Sequence, residues 1–263
     1  MLEPRCEVIL CGNDPGVKEV SKEYGLMHLP NIDVNEYGTP LLNSAFDQVR
    51  QKAKHRLTCY VNADIIFLSD FTKAVKLIKY DNFLLIGQRI KIDITKLLNF
   101  KDVNWEDQLL MYANKYGVVT PLNVAGIDYF VFPKNSKIGD LLPFAVGRPG
   151  WDNWVIQHTR ELRYPVIDAT RVITAIHQNH GYGHVKDARD EIWSGPEGDK
   201  NLSLTNNINA PYTILDSTHF IMGSLVVRAM TPEYLKHKIK RKKQKMYKNT
   251  LIRKIISLLK ALR

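Results

Sequence analysis

A regular alternation of short β-rich runs with helix-like segments constrains the fold of this 263-residue sequence most strongly. Runs rich in β-branched and aromatic residues predict strands, and clusters of Gly, Pro, Asn and Asp predict the turns between them. Alternation of this kind is typical of an α/β fold with a mainly parallel central sheet flanked by helices. The predicted strands are 7–11, 27–29, 57–61, 83–87, 129–132 and 165–167, and the predicted helices are 17–24, 39–54, 70–79 and 151–162.

The positive charge of the chain is confined to its C-terminal end. Residues 231–263 contain twelve Lys or Arg and a single acid, Glu233, whereas residues 1–230 are nearly neutral. We therefore divide the chain into a domain of residues 1–230 and a basic tail of residues 231–263. A nearly neutral body does not predict a nucleic-acid-binding domain.

The tail combines a basic run at 236–248 with an apolar helical period at 251–263. Such a basic amphipathic helix is typical of an anchor on an anionic membrane surface. One alternative is a helix that docks on its own domain or on a partner. Another is an RNA-binding tail, but Tyr247 is the only aromatic residue of the basic run and no nucleic-acid partner is expected.

Other features of the sequence place the chain in a reducing compartment. Cys6, Cys11 and Cys59 are odd in number and have apolar neighbours, which predicts buried free thiols. No stretch approaches the ~20 apolar residues of a membrane span, and residues 1–5 are not typical of a secretory signal. We therefore expect a cytoplasmic protein. The sequence shows no P-loop, dinucleotide-binding glycine motif, nucleophile elbow or CxxC pair.

The most informative short segment is Asn62-Ala63-Asp64, which directly follows the predicted strand 57–61. Ligands of open α/β sheets bind at the carboxyl ends of strands. Oxygen ligands placed there suit Mg²⁺ or Mn²⁺, which in turn neutralises a diphosphate. The alternative is a turn in which Asn62 and Asp64 bond to nearby backbone amides.

Three histidines, His177, His180 and His184, form a second candidate group. Gly181 and Gly183 argue against a continuous helix, so a loop with one histidine reaching a metal or phosphate is the better prediction. The alternative is a set of surface or core-capping histidines.

Two further segments carry candidate substrate contacts. Arg148, in the segment 147–154, suits a phosphate or a carboxylate, and Trp151 suits a sugar ring or the core. Asp152 stands where a helix begins, as a cap or as a base. Asp128 precedes a strand of large apolar residues, where it binds substrate hydroxyls or caps the strand entrance.

Taken in order, these segments resemble bacterial glycosyltransferases of the GT-A fold type, which use nucleotide-diphosphate sugars. The resemblance covers roughly residues 7–190 and rests on five segments. They read GTPLLNSAFD, YVNADIIF, GIDYFVF, GRPGWDNWVI and IDATRVITAIHQNHGYGH.

The resemblance implies a role for each candidate. Asp64 matches the last Asp of the metal-binding D-x-D element, Asn62 replaces the first, and His177 completes the shell around Mn²⁺ or Mg²⁺. Asp152 is similar to the acceptor base of inverting members, and in a retaining reaction it would orient a substrate. Asp128 and Trp151 would contact the substrate. Thr39 and Arg148 would contact the donor.

The resemblance also implies where the enzyme would act, and the sequence departs from the family pattern in one respect. The acceptor would be a lipid-linked or cell-surface glycan at the cytoplasmic face of the membrane. The tail would hold the catalytic domain at that surface. The strand at 7–11 follows only six residues, which implies that the opening strand and its base-binding loop are missing. Two other classes stay open, a non-catalytic carbohydrate- or partner-binding protein of this fold and a metal-dependent nucleotidyltransferase or phosphodiesterase.

Overall fold

The computed structural model describes residues 6–119, 126–179, 195–205 and 211–261. The helices among them are α1 (Val17–Tyr24), α2 (Leu42–Lys52), α3 (Asp70–Lys76), α4 (Trp105–Tyr116), α5 (Trp151–Glu161), α6 (Pro196–Ser203) and α7 (Pro232–Ala261). The strands are β1 (Ile9–Cys11), β2 (Met27–Leu29), β3 (Leu57–Val61), β4 (Ile65–Phe67), β5 (Leu84–Gln88), β6 (Ile90–Ile92), β7 (Val118–Val119), β8 (Ile127–Pro133), β9 (Val166–Asp168), β10 (Ala175–Gln178), β11 (His219–Met222) and β12 (Leu225–Arg228).

The fold is α/β, and its central sheet has six strands in the order β12-β11-β9-β5-β8-β3. The prediction of a mainly parallel sheet is confirmed in part, because the sheet is mixed. Strand β9 is parallel to β5 and β11, but β8 runs antiparallel between β3 and β5, and β12 is antiparallel to β11. A strand buried on both faces is a continuous apolar run whichever way it points, so composition does not reveal its direction.

The central sheet divides the hydrophobic core into two layers, because successive side chains of a strand point to opposite faces. Leu84 and Ile86 of β5 pack with α2 and α5 in one layer. Leu85, between them, packs with α3 in the other layer.

Two smaller sheets flank the central one. In the first, β1 pairs in parallel with β2. In the second, of order β4-β10-β6-β7, β10 is antiparallel to β4 and parallel to β6. The second sheet brings the segment after Asp64 beside the strand that contains His177, which matters for the candidate site.

Strand β3, strand β2 and helix α1 have the predicted bounds. Helix α2 begins at Leu42, with Leu41 as its N-cap and no side-chain cap, so the predicted start of this helix at residue 39 was wrong. The reason is that Pro40 and Leu41 are extended and bridge to Val34 and Ala145.

All three cysteines are free, as predicted. The expectation that they are buried was wrong for Cys6 and Cys11, which are exposed, while Cys59 is half-buried. Among the described residues, strand β1 pairs with β2 in a two-stranded sheet whose members are partly covered, so apolar neighbours along the chain do not bury Cys11 there.

The basic run and the apolar period of the tail form one continuous helix, α7. Its first turns are fixed to the domain by what we call the docking group, formed by Asp168, Asp216, Tyr234, His237 and Arg241. The Tyr234 hydroxyl donates to Asp168 over 2.6 Å, and Arg241 donates to Asp216 over 2.7 Å. The alternative in which the tail helix docks on its own domain therefore holds for the first turns of α7. In the described part of the chain, no helix has the length and apolarity that crossing a membrane requires.

Candidate active site

The reversed direction of β8 creates the candidate site, because it brings the start of β8 beside the carboxyl ends of β3 and β5. The Asn62 amide, just after β3, donates to the Asp128 carbonyl over 3.1 Å. The Arg89 amide, just after β5, donates to the Gly126 carbonyl over 2.9 Å. Three polar side chains from distant parts of the sequence therefore meet at one edge of the sheet.

Asp128 is held from two sides at this edge. The Asn62 side-chain amide donates to one of its carboxylate oxygens over 3.2 Å, and Arg89 forms an ion pair with the other. The Arg89 and Asp128 side chains are only 18% and 8% exposed. Sequence reasoning missed Arg89, although an arginine directly after a buried strand is the signal that marks it.

Asp64 and His177 form the second pair of the site. His177 Nε2 lies 3.0 Å from Asp64 Oδ2. The pairing of β10 with β4 sets this contact, since His177 is opposite Ile65 and the Gln178 amide donates to the Asp64 carbonyl over 3.0 Å. The structure thus places together the two residues predicted to share a metal. His180 and His184 lie outside the described residues.

Asp152 enters the site from the first turn of α5. The N-cap of this helix is Gly150, at φ 105°, so Asp152 is not the cap. Burial raises the pKa of the Asp152 carboxyl, and the charge of Asp128 adds to the shift. Backbone amides at the helix start act in the opposite direction without cancelling it. Asp152 is therefore a half-buried residue whose carboxyl holds its proton more tightly than an exposed one.

Tyr60 shows that the three predicted acidic residues converge. Burial raises the pKa of its hydroxyl to about 12, and three nearby carboxylates contribute to that shift. They belong to Asp128, Asp64 and Asp152, which we call the acid cluster. Like charges near one another disfavour ionisation, and the charge of Asp128 accordingly adds to the raised pKa of Asp152.

Trp151 packs against Tyr60, the residue around which the acid cluster lies. Its ring lies 4.8 Å from that of Tyr60 and 4.6 Å from that of Phe130, measured between centroids. The residue is only 8% exposed. Of the two alternatives for Trp151, the core role is the one that the structure shows, and little of its surface is left for a sugar.

Thr39 and Arg148 meet at a residue that the sequence did not single out, Glu197 at the start of α6. Arg148 Nε donates to Glu197 over 2.9 Å, and the Asn35 side chain donates over 2.6 Å. Burial acts to raise the pKa of Glu197, but hydrogen bonds from Asn35, Thr39 and Arg148 outweigh it and the pKa is lowered. Of the two partners considered for Arg148, a phosphate or a carboxylate, the structure shows the carboxylate.

A cavity of about 1280 Å³ opens beside the acid cluster. Asn62, Asp64, Thr39 and Gly147 line one part of it, and the rest follows β3 along its whole length. This volume exceeds the upper end of the range of about 300–1,000 Å³ that is usual for small-molecule sites. The cavity therefore has room for a small-molecule ligand next to Asp64 and for further ligand atoms along β3.

The metal-binding capacity of the described residues rests on Asp64 and His177. Within the ranges that the structure covers, no group of three or more His, Cys, Asp or Glu side chains could hold a metal ion. A carboxylate and an imidazole are nevertheless donors that Mn²⁺ accepts, and a diphosphate provides further oxygens. The donor set thus fits a metal that is shared with a phosphorylated ligand.

No protein-family model matches the chain, and no curated protein matches it either.

Proposed function

We propose that the chain is a glycosyltransferase of the GT-A type, which transfers a sugar from a nucleotide-diphosphate donor to a hydroxyl of a glycan acceptor. The observation that carries the proposal is the convergence of the acid cluster around Tyr60, beside a cavity at the carboxyl end of β3. Three carboxylates from three separate segments meet where an α/β sheet places its ligands. This geometry goes beyond what any one of the short segments predicts.

Asp64 and His177 would hold Mn²⁺ or Mg²⁺, and Asn62 stands beside them in the place of a second acid. A divalent cation bound there would neutralise charge on the diphosphate. The chain's own contribution is positioning. Arg89 and the Asn62 side chain hold Asp128, and β10 holds His177 against Asp64. Preorganised groups of this kind act without rearranging during the reaction.

Asp152 is the acceptor base in the inverting form of the proposal. Its enclosure raises its pKa, and a carboxylate of higher pKa is a stronger base toward an acceptor hydroxyl. In the retaining form the same residue orients a substrate. Asp128 contributes in both forms, because its charge next to Asp152 raises the pKa further.

Donor contacts by Thr39 and Arg148 are indirect in this proposal. Both side chains bond to Glu197, so they shape the loop around Gly147 that lines the cavity. A direct phosphate contact by Arg148 would require breaking its ion pair with Glu197. We therefore assign to these residues the positioning of the cavity wall.

The distal part of α7 supports a peripheral position on an anionic membrane. Beyond the docking group the helix carries basic residues, and the Leu258 and Leu259 side chains are 63% and 60% exposed. Exposed leucines on a basic helix suit the boundary between lipid headgroups and acyl chains. A glycan acceptor linked to lipid would lie at the same surface.

The proposal is tested by the melting temperature of the protein with a panel of nucleotide-diphosphate sugars, each with and without Mn²⁺. At a ligand concentration of about 100 times Kd, binding stabilises the native state by about 2.7 kcal/mol, or roughly 5–10 °C. We expect one donor class to produce such a shift in the presence of Mn²⁺.

Asp64→Ala should abolish the Mn²⁺-dependent part of that shift. Asp140→Ala, which removes an exposed carboxylate, is the matched control and should keep it. If no donor shifts the melting temperature of the unsubstituted protein, the proposal fails.

A further inference from the structure

The parallel ladder between β5 and β9 ends before it reaches Gln88. The Leu84 amide donates to the Pro165 carbonyl over 2.9 Å, and a regular continuation of the ladder would bring the Gln88 amide to the Ala169 carbonyl. The Ala169 carbonyl instead accepts from the Val172 amide over 2.9 Å. The chain after β9 therefore turns away at the point where β5 reaches the candidate site.

The Thr170 side chain takes the place of that carbonyl. The Gln88 amide donates to the Thr170 hydroxyl over 3.0 Å. Gln88 is only 3% exposed, so water has little access to this amide and is a poor substitute for the hydroxyl. The end of β5 is therefore held by a side chain on the β9 side.

The other side of β5 is irregular at the same place. Two residues of β8, Asp128 and Tyr129, lie opposite Gly87, because the register of the two strands shifts there. A Cβ atom on Gly87 would collide with the Tyr129 hydroxyl, so glycine is the residue that this bulge accepts. A bulge disrupts the ladder locally. Strand β8 thus holds β5 least regularly just before Arg89, and the support from the β9 side matters most there.

Asp168, the last residue of β9, fixes the direction of the Thr170 hydroxyl. Its carboxylate accepts from the Thr170 amide over 2.8 Å and from the Thr170 hydroxyl. Burial raises the pKa of Asp168, and the bonds from Thr170 and Tyr234 act in the opposite direction, as bonds to a carboxylate do. A hydroxyl has only one hydrogen. Because that hydrogen points to Asp168, the lone pairs of the Thr170 oxygen stay available to the Gln88 amide.

Tyr234, in the first turn of the tail helix α7, holds the second oxygen of the same carboxylate. Its hydroxyl donates to Asp168 over 2.6 Å. Its ring stacks on that of Phe220, with 5.8 Å between centroids, and the residue is only 2% exposed. An unbroken series of hydrogen bonds therefore leads from the tail to Gln88, the residue before Arg89.

We propose that Tyr234 is a positioning residue for Arg89 and, through Arg89, for Asp128 of the acid cluster. The Arg89 amide donates to the Gly126 carbonyl, and the Arg89 side chain pairs with Asp128. Because Gln88 directly precedes Arg89, a displacement of Gln88 changes both contacts. The Tyr234 hydroxyl prevents that displacement by holding the groups that hold Gln88.

This link makes the first turn of the tail a part of the candidate site. Residues 1–230 alone then do not contain every group that shapes the site. The link goes beyond the proposed sugar transfer and does not depend on it, because it concerns how Asp128 is held whichever ligand binds.

The test compares Tyr234→Phe with Arg241→Gln in the full chain. Tyr234→Phe keeps the ring and removes the hydroxyl, whereas Arg241→Gln removes a different contact of the docking group, the ion pair with Asp216. Amide hydrogen exchange reports local opening residue by residue. We expect Tyr234→Phe to speed exchange at Gln88 by about fivefold or more relative to Leu84, at the other end of β5, as loss of one hydrogen bond would. Arg241→Gln should leave this ratio unchanged.

Nuclear magnetic resonance provides a readout at Arg89 itself. The Arg89 Nε–Hε signal should shift in Tyr234→Phe and in Thr170→Val, which removes the hydroxyl but keeps nearly the same shape. Thr170→Ser keeps a hydroxyl and should retain the signal of the unsubstituted protein. A purely structural role of Tyr234 would lower stability without moving the Arg89 signal.

Three results would overturn the proposal. Equal acceleration of exchange at Gln88 and Leu84 would show that Tyr234 stabilises the whole fold and not this position. The same effects in Arg241→Gln would assign them to a general loosening of α7. An unchanged Arg89 signal in Thr170→Val would show that the support does not reach Arg89. None of these measurements needs a sugar donor, so their outcome is separate from that of the donor-binding test.

Discussion

Two groups of buried and half-buried carboxylates lie in different parts of this molecule, and they differ in how many basic side chains they contact. In the docking group, Asp216 accepts from the Thr213 amide over 2.9 Å and contacts two basic side chains of α7, those of His237 and Arg241. In the acid cluster, the carboxylates of Asp128, Asp64 and Asp152 all act on the hydroxyl of Tyr60. Within the described residues, their basic partners are Arg89 on Asp128 and His177 on Asp64, and Asp152 has no ion-pair partner.

The difference separates a structural site from a site that is prepared for a ligand. Burying a charge is costly unless donors and opposite charges surround it. Asp216 of the docking group meets that requirement from the protein alone, through His237 and Arg241, whereas burial raises the pKa of Asp168 despite its bond from Tyr234. In the acid cluster, Asp152 has no ion-pair partner among the described residues, and burial, together with the charge of Asp128, raises its pKa. A protein that retains such a charge gains from binding a cation or a proton there, and four experiments test this interpretation.

The largest effect is expected for Asp152→Asn. The substitution removes a general base while keeping the shape of the side chain, so turnover should fall by about 10²–10⁴-fold. Donor affinity should be unchanged, and the measurements are single-turnover rates and donor titrations. Equal losses of donor binding and turnover would show that Asp152 is not the base.

Asp216→Ala should lower the free energy of unfolding by about 3 kcal/mol, because it leaves the basic side chains of α7 without their buried partner. The measurement is urea denaturation. Asp140→Ala removes a carboxylate that is 52% exposed in its pair with Arg50, so this control should cost less than about 1 kcal/mol. If the two substitutions lowered the free energy of unfolding by similar amounts, the buried pair would be no more stabilising than the exposed one, and the prediction would be wrong.

The pH dependence of stability should distinguish Asp152 from an ordinary carboxylate. Burial raises its pKa above the usual 3.8, so the folded state binds the proton more tightly than the unfolded state. Its contribution to stability is complete below pH ~4 and is lost as the pH rises through the folded pKa. The free energy of unfolding of the unsubstituted protein should therefore fall relative to that of Asp152→Asn over this range. A difference that stays constant with pH would contradict the raised pKa.

Removing residues 244–263 should have the smallest effect on stability, because the docking group, which ends at Arg241, stays intact. The same truncation should release the protein from vesicles that contain phosphatidylserine, in a sedimentation assay. Vesicles of phosphatidylcholine alone are the control. Unchanged binding of the truncated chain to the anionic vesicles would refute the membrane role of the distal helix.

Sequence patterns predicted those parts of the molecule that local chemistry determines. Strand β3 has the predicted bounds, since its apolar run ends at a polar step. Asp64, Asp128 and Asp152 stood out because each adjoins a buried strand or begins a helix. The direction of β8 could not be predicted, since burial on both faces leaves the same pattern in either orientation.

Contacts between residues that are distant in sequence could not be predicted from local patterns either. Arg89 and Asp128 are 39 residues apart, and Arg148 and Glu197 are 49 residues apart. Nothing near Arg148 indicates whether a phosphate or a carboxylate will face it, because the answer depends on where α6 packs. The role of Trp151 depended in the same way on the ring of Tyr60, on another strand.

The reversed strand β8 also has a kinetic consequence. The bond between Asn62 and Asp128 closes a loop of 66 residues, and the pair of Arg89 with Asp128 closes one of 39. Loops of this size are entropically costly to close, and contacts between distant residues form slowly during folding. A partly folded chain therefore has no acid cluster. The fraction of molecules that binds a ligand at this edge would count the fraction that has completed its sheet, so a ligand titration doubles as an assay of correct folding.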